Sequence, residues 1–325
     1  MRKVFLGFVF ACVAVLASIA GAAAQSFPSR PITLIVPFPA GGITDIIARV
    51  IAEGMRASLG QPVVVENVAG AGGTIGVSRL VRATPDGYTI GIGQWTSHVG
   101  GSVMYNLPFD MHTDLQPISL LSSGPLWIIG RKDLPPNNLK ELIAWLKANP
   151  KSTAATIGVG SGAHMCFIYF SNETGAPINA VPYRGAAPAL QDLLAGTIDL
   201  FCPEAGQTLS QYRAGSVKAY VVLTDKRWFS APEVPTIDEA GVPGVHFPFW
   251  HGLWAPRGIP PDALAKLSAA VVAALADPAA LKRFHDLGHE VAPREQQTPE
   301  GLAKYYKAET DKWWPIIKAA NIKAQ

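Results

Sequence analysis

Cysteine is scarce in this chain of 325 residues: there are three. So few cannot form a disulfide framework or a cysteine-rich metal module. There is no G-x-S-x-G elbow, no H-E-x-x-H, no P-loop and no C-x-x-C. Their absence removes the motif-borne forms of serine hydrolysis, zinc proteolysis, nucleotide hydrolysis and thioredoxin-type exchange. Charge of one sign is not in excess, with 27 Lys and Arg against 24 Asp and Glu. Such a balance leaves no electrostatic footprint for nucleic acid or anionic lipid. The seven histidines, His98, His112, His164, His246, His251, His285 and His289, show no metal-ligand spacing. His285-x-x-x-His289 is an i,i+4 pair without the intervening Glu, read as a solvated helix end. No metal and no cofactor is expected.

The long apolar run is Val4 to Ala20, preceded by Arg2-Lys3 and followed by Ala22-Ala23-Ala24. This layout is that of a secretory signal peptide, residues 1–24, cut after Ala24. Removing it takes two of the 27 basic residues and none of the 24 acidic ones, leaving a net charge of +1. Export places Cys166 and Cys202 where a bridge could persist. Sequence gives no Cα separation, so the pairing stays open, with buried or free thiols the favoured reading.

Along the remaining chain, short β-branched runs alternate with helix-period segments. Runs at 32–36, 63–66 and 88–92 flank helical patterns at 43–59 and 74–81, a βαβαβ order. A second series at 126–130, 155–159, 179–182, 198–202 and 219–223 alternates with helices near 139–148, 164–174, 187–195 and 208–214. Asn138-x-x-Glu141 has the form of a capping box. A Pro- and Gly-rich connection, 230–244, leads to a strand at 252–255 and three helices at 261–276, 278–287 and 299–319. The expectation is an α/β chain of two lobes, each a mostly parallel sheet flanked by helices. Lobe 1 comprises 25–125 with 247–325, and lobe 2 comprises 126–246.

Four strand-to-helix junctions could carry chemistry. In Pro37-Phe38-Pro39-Ala40-Gly41-Gly42 the glycines can turn successive N–H groups into one cavity, ahead of a helix whose first donors are unpaired. A carboxylate or phosphate suits such a place; a plain turn is the other reading. Asp45, in the first helical turn, reads as a loop-orienting residue. At Gly158-Val-Gly-Ser161-Gly162-Ala-His164 the glycine pattern is a weak dinucleotide fingerprint. A second anion-binding or hydroxyl-lined loop fits better, with His164 a packing or helix-start residue. Arg184-Gly185-Ala186 offers a guanidinium for a carboxylate or for an ion pair. Cys202-Pro203-Glu204 places a carboxylate at the fourth junction, facing a ligand or capping a helix.

The phrases Val36-Pro-Phe-Pro-Ala-Gly-Gly42 with Asp45 and Arg49, Gly60-Gln-Pro-Val-Val-Val-Glu-Asn67, Gly70-Ala-Gly-Gly-Thr-Ile-Gly76, Pro85-Asp-Gly-Tyr88, Val181-Pro-Tyr-Arg-Gly185, Pro235-Thr-Ile-Asp-Glu-Ala-Gly241 and Trp250-His-Gly-Leu-Trp-Ala-Pro256 occur in order. Taken together, the chain resembles the Bug-type solute receptors of tripartite tricarboxylate transporters. That resemblance implies a periplasmic, two-lobed binding protein of type II-like fold with the ligand in the cleft. It also implies a small carboxylate ligand, membrane permease subunits as partners, a monomer, and neither enzymatic activity nor nucleic-acid binding. Site residues implied are Phe38, Pro39, Ala40, Gly41, Gly42 and Asp45 from one lobe and Ser161, Gly162, Arg184, Gly185 and Ala186 from the other. Trp95, Ser97, His164 and Glu204 complete the candidate set.

Two departures concern the ligand. Gly93-Gln-Trp-Thr-Ser-His98 puts Trp95 where small polar residues are common in relatives, which suits either an aromatic acid or plain packing. Cys202-Pro203-Glu204 differs from the acidic position usual there. Di- and tricarboxylates and aromatic acids are therefore all expected candidates. An exported hydrolase or isomerase using Ser161, His164 and Glu204 is the rival reading, and a receptor reporting to a sensor kinase is a third.

Overall fold

A computed structural model describes residues 27–319. The expected leader and the cut after Ala24 lie outside them. Eleven strands form two sheets: β1 (Ile32–Val36), β2 (Val63–Asn67), β3 (Thr89–Gln94), β4 (Leu115–Pro125), β5 (Trp127–Arg131), β6 (Thr153–Thr156), β7 (Asn179–Pro182), β8 (Leu200–Phe201), β9 (Val217–Val222), β10 (Pro248–Pro256) and β11 (Glu290–Val291). The first sheet has the order β11-β4-β10-β3-β1-β2 and the second β7-β6-β8-β5-β9. Helices flank both.

Parallel pairing is confined to β2-β1-β3 and β7-β6-β8. The other neighbours are antiparallel, so the sheets are mixed. The reason is the chain crossing. β4 runs into β5 in the other sheet, and β10 brings the chain back beside β4, paired from Pro248 with Pro125 to Pro256 with Leu115. Two crossing strands side by side must be antiparallel when one leaves a lobe and the other returns.

The helix Ile43–Leu59 shows how the pattern becomes structure. Ile43, Ile47, Ile51 and Met55, spaced four apart, are buried with Ala48 and Ala52 on the same face. Each such aliphatic side chain contributes roughly 1.5–3 kcal/mol by burial. Gly60, at φ 66°, closes the helix with its N–H on the Arg56 carbonyl. Gly54 lets helix Pro261–Ala276 approach, since a Cβ there would stand 2.5 Å from Ala274 Cβ.

The Asn138 capping box forms, with Glu141 N donating to Asn138 Oδ1 at 2.9 Å. β4 has no counterpart among the expected strands. Its LQPISLLSSGP sequence is buried almost throughout, carries prolines and serines, and shows no alternation, because a crossing strand is covered on both faces. Cys166 and Cys202 form a disulfide, Cα to Cα 6.5 Å, tying helix Gly162–Thr174 to the end of β8. This corrects the thiol reading. Fold geometry brings together two residues 36 apart in sequence. Closing a loop of that size restricts the unfolded chain by about 4 kcal/mol in the entropic account. The double variant Cys166→Ala/Cys202→Ala is expected to lose about 2–4 kcal/mol by denaturant unfolding; equal midpoints under oxidising conditions would contradict this.

Candidate ligand cleft

The junctions singled out in the sequence emerge from carboxyl ends of parallel strands. β1, β2 and β3 run side by side in one direction, so the loops after Val36, Asn67 and Gln94 share one sheet edge. β6, β7 and β8 do the same in the second sheet, gathering the loops after Thr156, Pro182 and Phe201. Such edges are where open α/β sheets leave a crevice.

In the first lobe the loop is held from beneath. Asp45, 3% exposed, accepts from Gly41 N at 3.0 Å, Arg49 Nε at 2.9 Å, Arg49 Nη2 at 3.0 Å and Asn67 Nδ2 at 3.0 Å. Asn67 Nδ2 also donates to the Phe38 carbonyl at 3.0 Å. Burial alone would raise the Asp45 pKa. The bonds from Arg49, Gly41 and Asn67 outweigh it and hold the carboxyl below its ordinary value. Asp45 thus orients the loop, and its charge is spent inward.

Pro39, Ala40, Gly41 and Gly42 are exposed, and Phe38 is half-buried. Gly41 has φ +82°. Gly42 is the N-cap, with no side chain capping the helix, so the first-turn donors have no intrahelical acceptor. Gly73 packs tightly beneath, its Cβ direction blocked by Ser97 Cβ at 2.8 Å and Phe38 Cζ at 3.1 Å.

The two second-lobe loops differ. Around Ser161 the donors are already engaged. Ser161 Oγ accepts from His164 N at 3.2 Å, His164 Nδ1 accepts from Gly160 N at 3.0 Å, and Gly162 N donates across the lobes to Thr96 Oγ1 at 3.2 Å. Ser161 and Gly162 are buried, and burial pushes His164 to lower pKa. By contrast Arg184 is exposed and, among the described residues, has neither ion pair nor hydrogen bond. Gly185 (φ 150°) is the N-cap of Ala186–Ala195, again without a side-chain cap.

Trp95 is fully buried, edge-on to Phe247 at 4.5 Å and Trp313 at 5.3 Å between ring centroids. Ser97, also fully buried, has Oγ 2.9 Å from His98 Nδ1. His98 stacks on Trp254 at 4.0 Å, and burial lowers its pKa to about 3. Glu204 Oε2 lies 2.9 Å from His289 Nε2. His289 is therefore no solvated helix end: the helix stops at Asp286, and the turn at Gly288 (φ +73°) carries the ring to 3% exposure. Ser161 Oγ meets the main-chain N–H of His164, the His164 ring accepts from Gly160 N and Glu204 faces His289, so no hydrogen bond between their side chains joins the three, among the described residues, in the order the hydrolase reading needs. Gly162–Thr96 and Glu204–His289 span the lobes, pairs too distant in sequence for any local signal.

Residues 47–322 match the family described as tripartite tricarboxylate transporter family receptor. Among solved structures, the chain is similar to the periplasmic binding protein BugD, 40% identical with a TM-score of 0.86, over 92% of this chain and 100% of that one. MatC from Rhodopseudomonas palustris with bound malate is 36% identical with a TM-score of 0.84, over 90% and 100%. The R. palustris protein Rpa4515 with adipate is 32% identical with a TM-score of 0.85, over 92% and 100%.

Proposed function

Because the chain belongs to the tripartite tricarboxylate transporter receptor family, we propose that it is a periplasmic receptor closing its two lobes on a small dicarboxylate and delivering it to membrane permease subunits. The observation that carries this reading is the pair of uncapped helix starts, Gly41-Gly42 and Arg184-Gly185, one at each sheet's carboxyl edge. Both supply main-chain donors, and Arg184 adds an uncommitted cation. One carboxylate at each start accounts for a two-headed anion. Malate and adipate in similar proteins support that class. An aromatic acid loses its stacking platform, since Trp95 is fully buried by its neighbours.

Closure follows from the connections. The β4–β5 and β9–β10 crossings are the covalent links between the sheets, so rotation there brings the second-lobe loops onto the first, and a ligand touching both favours the shut state. Arg184 tests the assignment cleanly, because its removal breaks no side-chain bond among the described residues. Arg184→Ala is expected to weaken dicarboxylate binding about 10- to 100-fold, the loss of a charge-assisted pair of about 1.5–3 kcal/mol. Calorimetric titration with malate and adipate checks this against an unchanged unfolding midpoint. Wild-type affinity in the variant would remove Arg184 from the cleft.

A further inference from the structure

One buried cluster takes no part in the carboxylate contacts proposed above. Glu204, His251 and His289 each offer one ligating atom, all within 4.8 Å of one another, and all three side chains are buried. They arrive from the turn after β8, the middle of β10 and the turn before β11. Thr44 Oγ1 lies 3.1 Å from His251 Nε2, and Ser122 Oγ lies 3.3 Å from His289 Nδ1. The Thr44 hydroxyl can accept the Nε2–H of His251, leaving the lone pair on Nδ1; in His289 the proton that faces Glu204 would move to Nδ1, against Ser122, to free Nε2 for a metal.

Those opposite nitrogens are the informative ones. His251 Nδ1 is buried with no hydrogen-bond partner, and His289 Nε2 faces the Glu204 carboxylate. The orphaned buried nitrogen is costly without a compensating group, and the buried Glu204 carboxylate has His289 as its partner. His289 is held through Nδ1 by Ser122 with Nε2 on a carboxylate, and His251 through Nε2 by Thr44 with Nδ1 unpaired, an outer-bond arrangement that metal-ligating imidazoles share.

We propose that Glu204, His251 and His289 form a site for a first-row divalent cation, with zinc the best match to two imidazoles and one carboxylate. Metal–ligand bonds of about 2.0–2.2 Å set the donors about 3.4 Å apart, so the cluster contracts modestly on binding, and a water completes the fourth position. Glu204 follows a strand of one sheet, whereas both histidines belong to the other, so the ion ties the lobes together. Opening of the lobes gives it entry. No spacing rule signals this site, because its ligands come from three distant stretches of chain.

The test uses the exported chain stripped with EDTA and dialysed against zinc alone, with bound metal counted by mass spectrometry. One equivalent per chain is expected, with a rise in unfolding midpoint and, for cobalt in its place, the visible band of a four-coordinate site. Glu204→Gln, His251→Gln and His289→Gln are each expected to weaken uptake at least 10-fold. Thr44→Ala and Ser122→Ala, which leave every ligand in place, are expected to weaken it about 10-fold through the outer hydrogen bonds. No stoichiometric uptake by the wild type overturns the proposal, as does unchanged uptake in the folded variants. No organic acid is present in any arm, so the result is independent of the carboxylate reading.

Discussion

Gly41→Val is expected to lower affinity for the dicarboxylate about 100-fold or more while leaving a folded protein. A Cβ at Gly41 would meet nothing within 4 Å, so the penalty is not steric. It is conformational: φ is +82°, a region that costs an L-residue about 1–2 kcal/mol and a β-branched one more. The loop escapes by rotating to negative φ, which carries the Gly41 N–H off Asp45 and redirects the donors beside it. Losing two charge-assisted bonds to a carboxylate costs about 3 kcal/mol, or about two orders of magnitude in affinity. Gly42 separates this from bulk. Its φ of −77° and ψ of 166° suit any residue. A Cβ at Gly42 makes only ordinary contact with the Pro39 carbonyl at 3.6 Å. Gly42→Ala is accordingly expected to stay within a few-fold of wild type. Titration calorimetry of both variants decides it, and equal losses would remove the backbone argument.

Asp45→Ala is the second large effect, on stability and binding together. The Arg49 partner is half exposed, so that ion pair alone adds little. The cost lies in the Gly41 N–H, which loses its acceptor, and in the Asn67 amide, which keeps only the Phe38 carbonyl. Together with the lost side-chain packing this amounts to about 2–4 kcal/mol. Acid titration tests the charge separately. The folded pKa lies below the ordinary 3.8, so the contribution is complete above that value and disappears as pH falls through the lowered one. The stability gap between wild type and Asp45→Asn is expected to be constant from neutrality down to about pH 4 and to narrow below it. A gap that narrows already near pH 6 would point to another group.

The first-lobe loop was legible because its signals are local. Two prolines and two glycines between an apolar run and a helical period mark a junction, and Asp45 at the fourth residue beyond Gly41 can reach back to its N–H. Helix ends at Gly60 and the Asn138 box were readable for the same reason. β4 was not, because the period-2 signal requires one wet face and a strand crossing between lobes has none. Gly162 on Thr96 and the Glu204–His289 contact depend on how separate lobes meet, and the cysteine bridge on how a helix packs against a strand end within one lobe. Periodicity carries no such information. The family resemblance reached further, naming Ser161-Gly162 and Arg184-Gly185-Ala186 as second-lobe contributors. Hydrogen bonding separates them: the first pair is engaged within the protein, whereas Arg184 has no ion pair or hydrogen bond among the described residues.

The most direct measurement is thermal unfolding of residues 25–325 after denaturation and refolding to release any carried acid. Malate, adipate, shorter and longer dicarboxylates, tricarboxylates, aromatic acids and the matching amides would each be titrated. The account predicts a saturable rise in midpoint with at least one dicarboxylate, corresponding to about 2.7 kcal/mol at a hundredfold excess over Kd, and none with its diamide. Equal shifts with acid and amide, or no shift with any acid, would contradict a cleft built to hold carboxylates.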